Sequence, residues 1–184
     1  MCSGTVQPFE QHNPAIGERV YLADQTLVLG QVSIGEDSSI WPMTVVRGDV
    51  HRIQIGARSN IQDGSVLHVS HDSSYNPGGH PLSVGDDVTV GHKVILHGCT
   101  IGNRCLIGMG AIIMDGAVLE DDVLLAAGSL VPQGKVLDGG YLWVGSPVRR
   151  LRKLSDQQKA GLLYSAEHYV RLKDRHLANK RPAR

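Results

Sequence analysis

The sequence that decides the fold is residues 84–113, VGDDVTVGHKVILHGCTIGNRCLIGMGAII. Branched aliphatic residues recur in it every six positions, with a single interval of five between Leu96 and Ile101. An amphipathic helix would place apolar residues three and four apart, and a half-buried strand would place them at every second position. An interval of six is instead typical of short strands joined by turns, each strand sending one aliphatic side chain inward.

The same interval continues on both sides of this stretch, with a slip after Val46 and an insertion after Leu67. Eighteen aliphatic residues fall into the series, which at three per coil makes six coils. Glycine often follows the aliphatic residue, and we expect it to supply positive φ angles at tight bends. The pattern predicts a hexapeptide β-helix, a solenoid of stacked coils. The predicted inward residues are Ile16, Leu22, Val28, Ile34, Ile40, Val46, Ile55, Ile61, Leu67, Val84, Val90, Leu96, Ile101, Ile107, Ile113, Leu119, Leu125 and Val131, and the glycines are Gly17, Gly35, Gly56, Gly85, Gly91, Gly102 and Gly108.

The predicted fold class is mainly β, a parallel β-helix with a C-terminal α-helix, and resemblance to known hexapeptide solenoids implies that the β-helix is left-handed. The interval alone does not set the number of hexapeptides per coil or the handedness. Three hexapeptides per coil, left-handed winding and assembly as a homotrimer are what resemblance to known hexapeptide solenoids implies. Residues 1–150 are expected to form the repeat domain, and residues 151–184 to carry a helix packed on the solenoid or on a neighbouring subunit.

Composition excludes several classes of function. The formal net charge is zero, so no basic field favours nucleic acid or an anionic membrane. No segment approaches the roughly 20 apolar residues that a membrane-spanning helix needs. The three cysteines, Cys2, Cys99 and Cys105, are odd in number and lack CxxC spacing, and no apolar secretory stretch precedes them. A cytoplasmic location is the expectation, with Cys99 and Cys105 as small buried side chains and a thiolate metal ligand at Cys99 as the less favoured alternative.

Two segments depart from the repeat. Residues 70–82 begin with the polar sequence SHDSSYNPGGHP and predict a loop that protrudes between two coils. Near the C-terminus, Ser155-Asp156-Gln157-Gln158 resembles a capping box, which predicts a helix from Asp156 to Leu177. Its packed face is expected to present one set of apolar residues, with three basic residues in solvent. The apolar set is Leu163, Ala166, Val170 and Leu177, and the basic set is Arg171, Lys173 and Arg175.

Three histidines are placed by the repeat. His68 and His97 each follow the inward residue of the third hexapeptide of a coil, so they occupy equivalent places on successive coils. Parallel strands lie about 4.8 Å apart, so the two imidazoles could bind one ion. His92 follows the second hexapeptide and lies on another face, so it would reach that ion only from a neighbouring subunit. Three histidines with an open position are typical of a catalytic zinc; surface histidines at turns are the alternative.

Four motifs together resemble the γ-class carbonic anhydrases: Arg47-Gly48-Asp49, residues 60–68 (NIQDGSVLH), Val90-Gly91-His92 and Leu96-His97-Gly98-Cys99. The resemblance covers nearly the whole chain. It implies a homotrimer in which His68 and His97 of one subunit and His92 of the next bind one divalent metal per interface. Zinc is the first expectation, with iron or cobalt possible. It also implies lyase activity, the reversible hydration of carbon dioxide to bicarbonate by a metal-bound hydroxide.

Further residues match the family by position. Gln62 matches a glutamine beside the metal-bound water, and Arg47, Asp49 and Asp63 match a charged network at the subunit boundary. The family archetype carries two glutamates for proton transfer, and this sequence has Val50 and His71 at those positions. His71 is the expected proton shuttle, since an unperturbed imidazole titrates near pH 6.5. His80 is a weaker candidate in the same loop, and Tyr164 and His168 are weaker candidates on the helix.

Two other functions remain open at this point. Many hexapeptide solenoids are acyltransferases that use one histidine as a general base and need no metal. A third alternative is a binding module whose metal only clamps the trimer without catalysis. Metal content separates acyl transfer from the other two, and kinetics separate catalysis from clamping.

Overall fold

The computed structural model describes residues 4–179, so Cys2 lies outside the described residues. Within this range the chain forms twenty short strands and one helix. Every strand pair in it is parallel except the last, β19 with β20. The strands are β1 (Thr5–Gln7), β2 (Ala15–Ile16), β3 (Tyr21–Leu22), β4 (Leu27–Ile34), β5 (Ser39–Ile40), β6 (Val45–Ile55), β7 (Asn60–Ile61), β8 (Val66–His68), β9 (Leu82–Val84), β10 (Thr89–Val90), β11 (Ile95–His97), β12 (Thr100–Ile101), β13 (Leu106–Ile107), β14 (Ile112–Ile113), β15 (Val118–Leu119), β16 (Leu124–Leu125), β17 (Leu130–Val131), β18 (Val136–Leu137), β19 (Tyr141–Val144) and β20 (Arg149–Lys153), and the helix is α1 (Asp156–Asn179).

The strands stack into a solenoid around a column of buried aliphatic residues. All eighteen residues of the predicted inward series are inside, seventeen fully buried and Ile16 partly buried against the core. The column runs two inward positions further than predicted, because the interval of six continues from Val131 through Leu137 to Trp143. Trp143 is not a branched aliphatic, yet it closes the column at the C-terminal end. One face of the column, in register from coil to coil, is Leu22, Ile40, Ile61, Val90, Ile107, Leu125 and Trp143.

The glycines that follow the inward residues have a different role from the one predicted. None of the seven, all within the described chain, has a positive φ. They are needed because the next coil passes very close to their Cα atoms. A Cβ on Gly35 would lie 2.6 Å from the backbone nitrogen of Ala57, and one on Gly108 would lie 2.3 Å from that of Ala127. Any side chain there would push successive coils apart.

Positive φ angles occur instead two residues later, and along one corner of the solenoid the residues that adopt them alternate between arginine and aspartate. Six residues in successive coils share this conformation, with φ between 52° and 61°. Each arginine forms a forked contact with the aspartate of the following coil. A non-glycine residue in the left-handed region is uncommon, so these ion pairs hold a backbone conformation that few side chains favour. The column, called here the Arg–Asp corner, is Arg19, Asp37, Arg58, Asp87, Arg104 and Asp122.

The C-terminal helix begins as predicted, at a capping box. Ser155 Oγ accepts from Gln158 N at 3.2 Å, and Gln158 Oε1 accepts from Ser155 N at 3.2 Å. Its packed face is rotated by about one residue from the predicted one. Leu162 is buried and Leu163 is exposed, while Lys173, expected in solvent, has a side-chain exposure of 0%. Lys173 is buried because its ammonium forms an ion pair with Asp37 of the Arg–Asp corner, at 2.9 Å.

One irregular segment lies between β8 and β9, and the other lies at the C-terminal end of the solenoid. The insertion forms a loop at residues 70–81, and the repeat resumes at once with buried Leu82 in β9. At the C-terminal end, β20 turns back antiparallel on β19, so the sheet continues to Lys153 before the helix starts. Among residues 4–179, no helix combines the length and the hydrophobicity needed to cross a bilayer.

Candidate metal centre

His68 and His97 lie side by side on the outer surface of the solenoid. Strands β8 and β11 pair in register, which places the two histidines directly opposite each other. Because side chains alternate along a strand, Leu67 and Leu96 point into the core while His68 and His97 point out. Both imidazoles are half-buried. The register that the sequence predicted for these two residues is therefore present.

The spacing of the two rings suits a shared ion. His68 Nδ1 lies 3.1 Å from His97 Nε2. Two nitrogens that each bind one zinc ion at about 2.0–2.1 Å lie about 3.3 Å apart at the tetrahedral angle. The observed separation is close to that value, so a metal ion could bind between the rings with little movement of either side chain.

Each of these rings has an aspartate on its other nitrogen. Asp49 Oδ1 lies 3.1 Å from His68 Nε2, and Asp115 Oδ1 lies 2.7 Å from His97 Nδ1. If both carboxylates accept a ring proton, the two nitrogens that face each other both present lone pairs. A cation fits between such nitrogens, and a carboxylate behind each ligating imidazole is the usual arrangement at metal sites. The donor set of this chain therefore fits a divalent metal.

The burial of His68 favours the neutral imidazole that a metal requires. Burial lowers the pKa of His68 and outweighs the opposing effect of Asp49. Asp49 is itself held by Arg47, whose Nη1 donates to Oδ2 at 2.6 Å. Burial alone would raise the pKa of Asp49, but the hydrogen bonds from Arg47 and His68 leave it below its ordinary value. Asp49 is thus a carboxylate fixed between an arginine and a candidate ligand.

His92 lies apart from this pair, after β10 in the second sheet. Its Nδ1 lies 3.0 Å from Asp63 Oδ2, so Asp63 contacts His92 within the protomer. Asp63 is thus separate from the contact between Arg47 and Asp49. Nε2 of His92 is directed away from that contact, as a third ligand would require. Among the described residues of one protomer, no three His, Cys, Asp or Glu side chains converge into a complete metal-binding group. Within a protomer, the three histidines form a pair and a single residue.

An aliphatic stripe lies next to the histidine pair on the same outer face. Val66 and Ile95 precede His68 and His97 by two residues, and each is 40% exposed. Ile112, on the next coil, is 38% exposed. Contiguous apolar surface of this kind marks interaction sites on soluble proteins. The stripe, in register across six coils, is Leu27, Val45, Val66, Ile95, Ile112 and Leu130.

Gln62 is buried and is held by other polar side chains. Its Nε2 donates to Asn60 Oδ1 at 3.1 Å, and Asn60 Nδ2 donates to Thr89 Oγ1 at 3.1 Å. Thr89 Oγ1 in turn donates to Ser165 Oγ of the helix at 3.0 Å. The amide of Gln62 is therefore fixed by a chain of hydrogen bonds that begins on α1. The sequence identified Gln62 but gave no sign of this connection.

The other candidates differ in their surroundings. Val50 and His71 are exposed, the latter at the start of the loop. His80 is half-buried against Gly98 and Gly116 at the base of the loop. Tyr164 and His168 are exposed on α1, with ring centroids 6.3 Å apart, and Arg171 lies over the Tyr164 ring.

Cys99 and Cys105 are buried, as predicted. Burial raises the pKa of both thiols, that of Cys105 to about 12, so neither is a thiolate at neutral pH. A thiolate is the form that binds a metal. This burial argues against the alternative in which Cys99 is a ligand.

Asp115 is the residue of the centre that the sequence analysis missed. It lies on the coil after His97, eighteen positions later and one residue beyond the position in register with His97, since the strands there pair Leu96 with Ile113. A search for acidic residues one coil away from each histidine could have found it. The same search applied to His68 and His92 leads to Asp49 and Asp63, at separations lengthened by the slip and the insertion.

Comparison with known proteins agrees with the fold and identifies relatives. The family model for the bacterial transferase hexapeptide (six repeats) matches residues 98–133, and that for the hexapeptide repeat of succinyl-transferase matches residues 81–113. A crystal structure from Bacillus cereus, whose name proposes an acetyltransferase, superposes with a TM-score of 0.88 at 38% identity. The match covers 95% of this chain and 97% of that one.

Two curated relatives align over nearly the whole chain. Protein YrdA of Escherichia coli K12 is 61% identical over 175 residues, which is 95% of each protein. The mitochondrial gamma carbonic anhydrase 1 of Arabidopsis thaliana is 42% identical over 170 residues, which is 92% of this chain and 62% of the plant protein. With the hexapeptide repeats and the motifs around the three histidines, these matches show that the chain belongs to the γ-carbonic-anhydrase-like family of hexapeptide-repeat proteins.

Proposed function

We propose that this protein is a metal-dependent enzyme that catalyses the reversible hydration of carbon dioxide to bicarbonate at the subunit interfaces of a homotrimer. The observation that carries the proposal is the 3.1 Å separation of His68 Nδ1 and His97 Nε2, with an aspartate on the other nitrogen of each ring. His68 and His97 of one protomer and His92 of the next would hold one divalent metal. Zinc is favoured, and iron or cobalt would suit the same ligands.

The metal and the protein would contribute different parts of the chemistry. A divalent metal with three imidazole ligands and one open position lowers the pKa of water to about 7, and so supplies hydroxide at neutral pH. Asp49, Asp63 and Asp115 keep the imidazole rings oriented. Gln62, whose amide plane is fixed through Asn60, would orient the substrate or bicarbonate. Preorganised donors of this kind stabilise developing charge without moving during the reaction.

Proton release would use the loop. Val50 has no group that can accept a proton, so the position of the archetype's first glutamate contributes nothing to this step. His71 directly follows Ser70, whose hydroxyl contacts the Asp115 that holds His97. Because His71 is exposed at the start of the loop, its imidazole could accept a proton near the centre and release it to solvent.

The aliphatic stripe supports assembly as a trimer. Hexapeptide-repeat homologues are generally trimeric. In a threefold assembly one face of each solenoid meets a different face of the next, and a stripe beside His68 and His97 would bring a neighbour's His92 to the pair. Burial of Val66 and Ile95 at the interface would contribute about 25 cal/mol for each Å² of apolar surface removed from water.

The proposal is tested by assaying hydration on protein of known metal content. The protein is prepared without oxygen, its metal is measured, and carbon dioxide hydration is followed by stopped-flow spectroscopy. We expect near-stoichiometric metal per protomer and hydration that rises with metal loading. A His12→Ala variant, which alters a histidine far along the chain from the centre, serves as the control. Fully loaded protein with no activity above the buffer would reject the proposed reaction.

A second candidate function, acyl transfer, is favoured by the names of the matched family models and of the Bacillus cereus structure. Three aspartate-anchored imidazoles are not required for acyl transfer, in which one histidine acts as general base. The two functions differ in their need for metal. Transfer from acetyl-coenzyme A that persists in chelator-treated protein would favour the acyltransferase, whereas loaded protein inactive in both assays would favour a metal-clamped binding module.

A further inference from the structure

The base of the loop at residues 70–81 is closed beside the candidate metal centre. Ser70 and His80 face each other in an antiparallel bridge, where His80 N donates to Ser70 O at 2.9 Å and Ser70 N donates to His80 O at 3.2 Å. His80 also packs tightly on the solenoid. A Cβ added at Gly98 would lie 2.6 Å from His80 Cβ, and one at Gly116 would lie 3.3 Å from His80 Cε1. The loop is therefore seated on the two coils that carry His97 and Asp115.

Through Ser70 the loop makes one polar contact with the centre. Ser70 Oγ donates to Asp115 Oδ2 at 2.8 Å, while Asp115 Oδ1 faces His97 Nδ1 at 2.7 Å. The two oxygens of one carboxylate thus join a loop residue to a candidate ligand. Asp115 is mostly buried, with a side-chain exposure of 23%, so water is a weak competitor for these contacts.

We infer that Ser70 and Asp115 act together as positioning residues that fix the orientation and tautomer of His97, an inference that rests on the proposed metal centre. A carboxylate held at one oxygen can turn about its Cβ–Cγ bond and lose alignment with the imidazole. The hydroxyl of Ser70 prevents this rotation. Nδ1 of His97 then keeps the proton, and Nε2 keeps the lone pair that faces His68.

Asp49 has the same arrangement on the other side of the pair. One of its oxygens faces His68, and the other accepts from Arg47. Both carboxylates beside the His68–His97 pair therefore have a fixed donor on the second oxygen, an arginine for Asp49 and a serine for Asp115. The difference is that Arg47 belongs to the solenoid strand β6, whereas Ser70 belongs to the inserted loop. This makes the loop part of the structure that prepares His97 for a ligand.

A purely structural role for Ser70 makes a different prediction. If its hydroxyl only closes the loop, its removal should affect stability and leave the His97 ring unchanged. Ser73 provides the matched control, because its Oγ accepts from Asn76 N at 3.2 Å inside the same loop. Ser73→Ala removes a loop hydrogen bond of similar length without touching Asp115.

The first measurement needs no metal. In chelator-treated protein labelled with ¹⁵N-histidine, the ring nitrogen shifts report the tautomer of His97. We expect the Nδ1–H form in the unaltered protein and in Ser70→Thr, and a shift toward the Nε2–H form in Asp115→Ala. Ser70→Ala should give a mixture, and Ser73→Ala should match the unaltered protein.

The second measurement is zinc affinity by competition with a chromophoric chelator. Loss of a group behind a metal ligand commonly costs 10–100-fold in affinity, so we expect about 10–100-fold for Asp115→Ala and about tenfold for Ser70→Ala. If the tautomer of His97 is the same in Ser70→Ala and Ser73→Ala, the inference is overturned. If the tautomer depends on Ser70 but the unaltered protein binds no zinc, the positioning stands and the proposed function fails.

Discussion

Arg58 and Asp87 join two successive coils through a forked contact, with Nε donating to Oδ1 at 2.7 Å and Nη2 donating to Oδ2 at 2.8 Å. Both residues have left-handed backbone angles, φ 54° and 57°. The same arrangement recurs above and below in the Arg–Asp corner. A position where glycine or asparagine would be easiest is thus occupied by charged residues that bind the next coil.

This relationship predicts the result of exchanging the two charges. Arg58→Asp should destabilise the protein by about 1 kcal/mol, because the pair is partly exposed and the variant places like charges on adjacent turns. The double variant Arg58→Asp with Asp87→Arg should recover only part of the loss, because each exchanged charge then also faces a like charge on the coil beyond, at Asp37 or Arg104. Urea unfolding of the unaltered protein, Arg58→Asp, Asp87→Arg and the double variant gives the interaction energy of the pair. Single-variant costs that simply add would show that the pair contributes nothing.

The ion pair between Lys173 and Asp37 predicts how α1 is held on the solenoid. Asp37→Asn should lower the free energy of unfolding by about 2 kcal/mol. The loss is smaller than for a buried charge that has lost its sole partner, because Lys173 also contacts Asp174. Lys173→Met removes the charge itself and should cost less. Urea unfolding of both variants measures the difference. A larger loss in Lys173→Met would contradict this account.

The same aspartate predicts a dependence of stability on acid. Arg19, together with Lys173, lowers the pKa of Asp37 from its ordinary 3.8 to about 2. A carboxyl whose pKa is lowered on folding contributes stability that is complete above its ordinary pKa and is lost as the pH falls through the folded value. The difference in unfolding free energy between the unaltered protein and Asp37→Asn should therefore be constant from about pH 5 to 7 and shrink between about pH 4 and 2. If this difference in unfolding free energy stays constant down to pH 2, the prediction is wrong.

Because the proposed centre takes His68 and His97 from one subunit and His92 from the next, it predicts which variants complement each other. His68→Ala, His92→Ala and His97→Ala should each lose the metal. Mixed trimers of His68→Ala and His92→Ala subunits should regain one intact site, because an undamaged pair can meet an undamaged His92. Mixed trimers of His68→Ala and His97→Ala serve as the control and should regain none, since both variants damage the same half. Metal analysis of purified mixed trimers decides between these patterns.

The aliphatic stripe predicts which face forms the interface. Ile95→Asp should dissociate the proposed trimer and lower the metal content, because a charge would be buried in an apolar contact. Val136→Asp is the matched control, since Val136 is 49% exposed on a strand of another face. Light scattering after gel filtration gives the mass. A trimeric Ile95→Asp protein, or an equal effect of Val136→Asp, would argue for a different interface.

The loop predicts the route of the proton. His71→Ala should slow steady-state hydration in weak buffer, and added imidazole should restore the rate, because a free base can replace the missing one. The effect should fall on kcat, which contains proton release, more than on kcat/KM. His80→Ala is the comparison in the same loop. Equal rates for His71→Ala and the unaltered protein would exclude His71.

Much of the architecture could be read from the sequence because it depends on a local, repeated constraint. An inward aliphatic at every sixth position leaves one way to bury a continuous core, and this placed His68 and His97 on neighbouring strands in register. The capping box at Ser155 was readable for the same reason, since it involves residues three apart. The end of the column was missed although Leu137 keeps the interval of six after Val131; the next inward residue, Trp143, keeps the interval but is aromatic.

What the tertiary structure alone decided were contacts between residues far apart in the chain and the side-chain angles that create them. No sequence pattern indicates that Ser70 holds Asp115, or that Lys173 leaves solvent for Asp37, 136 positions away. The role of the glycines at Gly35 and Gly108 depends in the same way on how closely the next coil passes. A periodic sequence fixes which residues face the core, whereas the partner of each outward polar side chain depends on the stacking of whole coils.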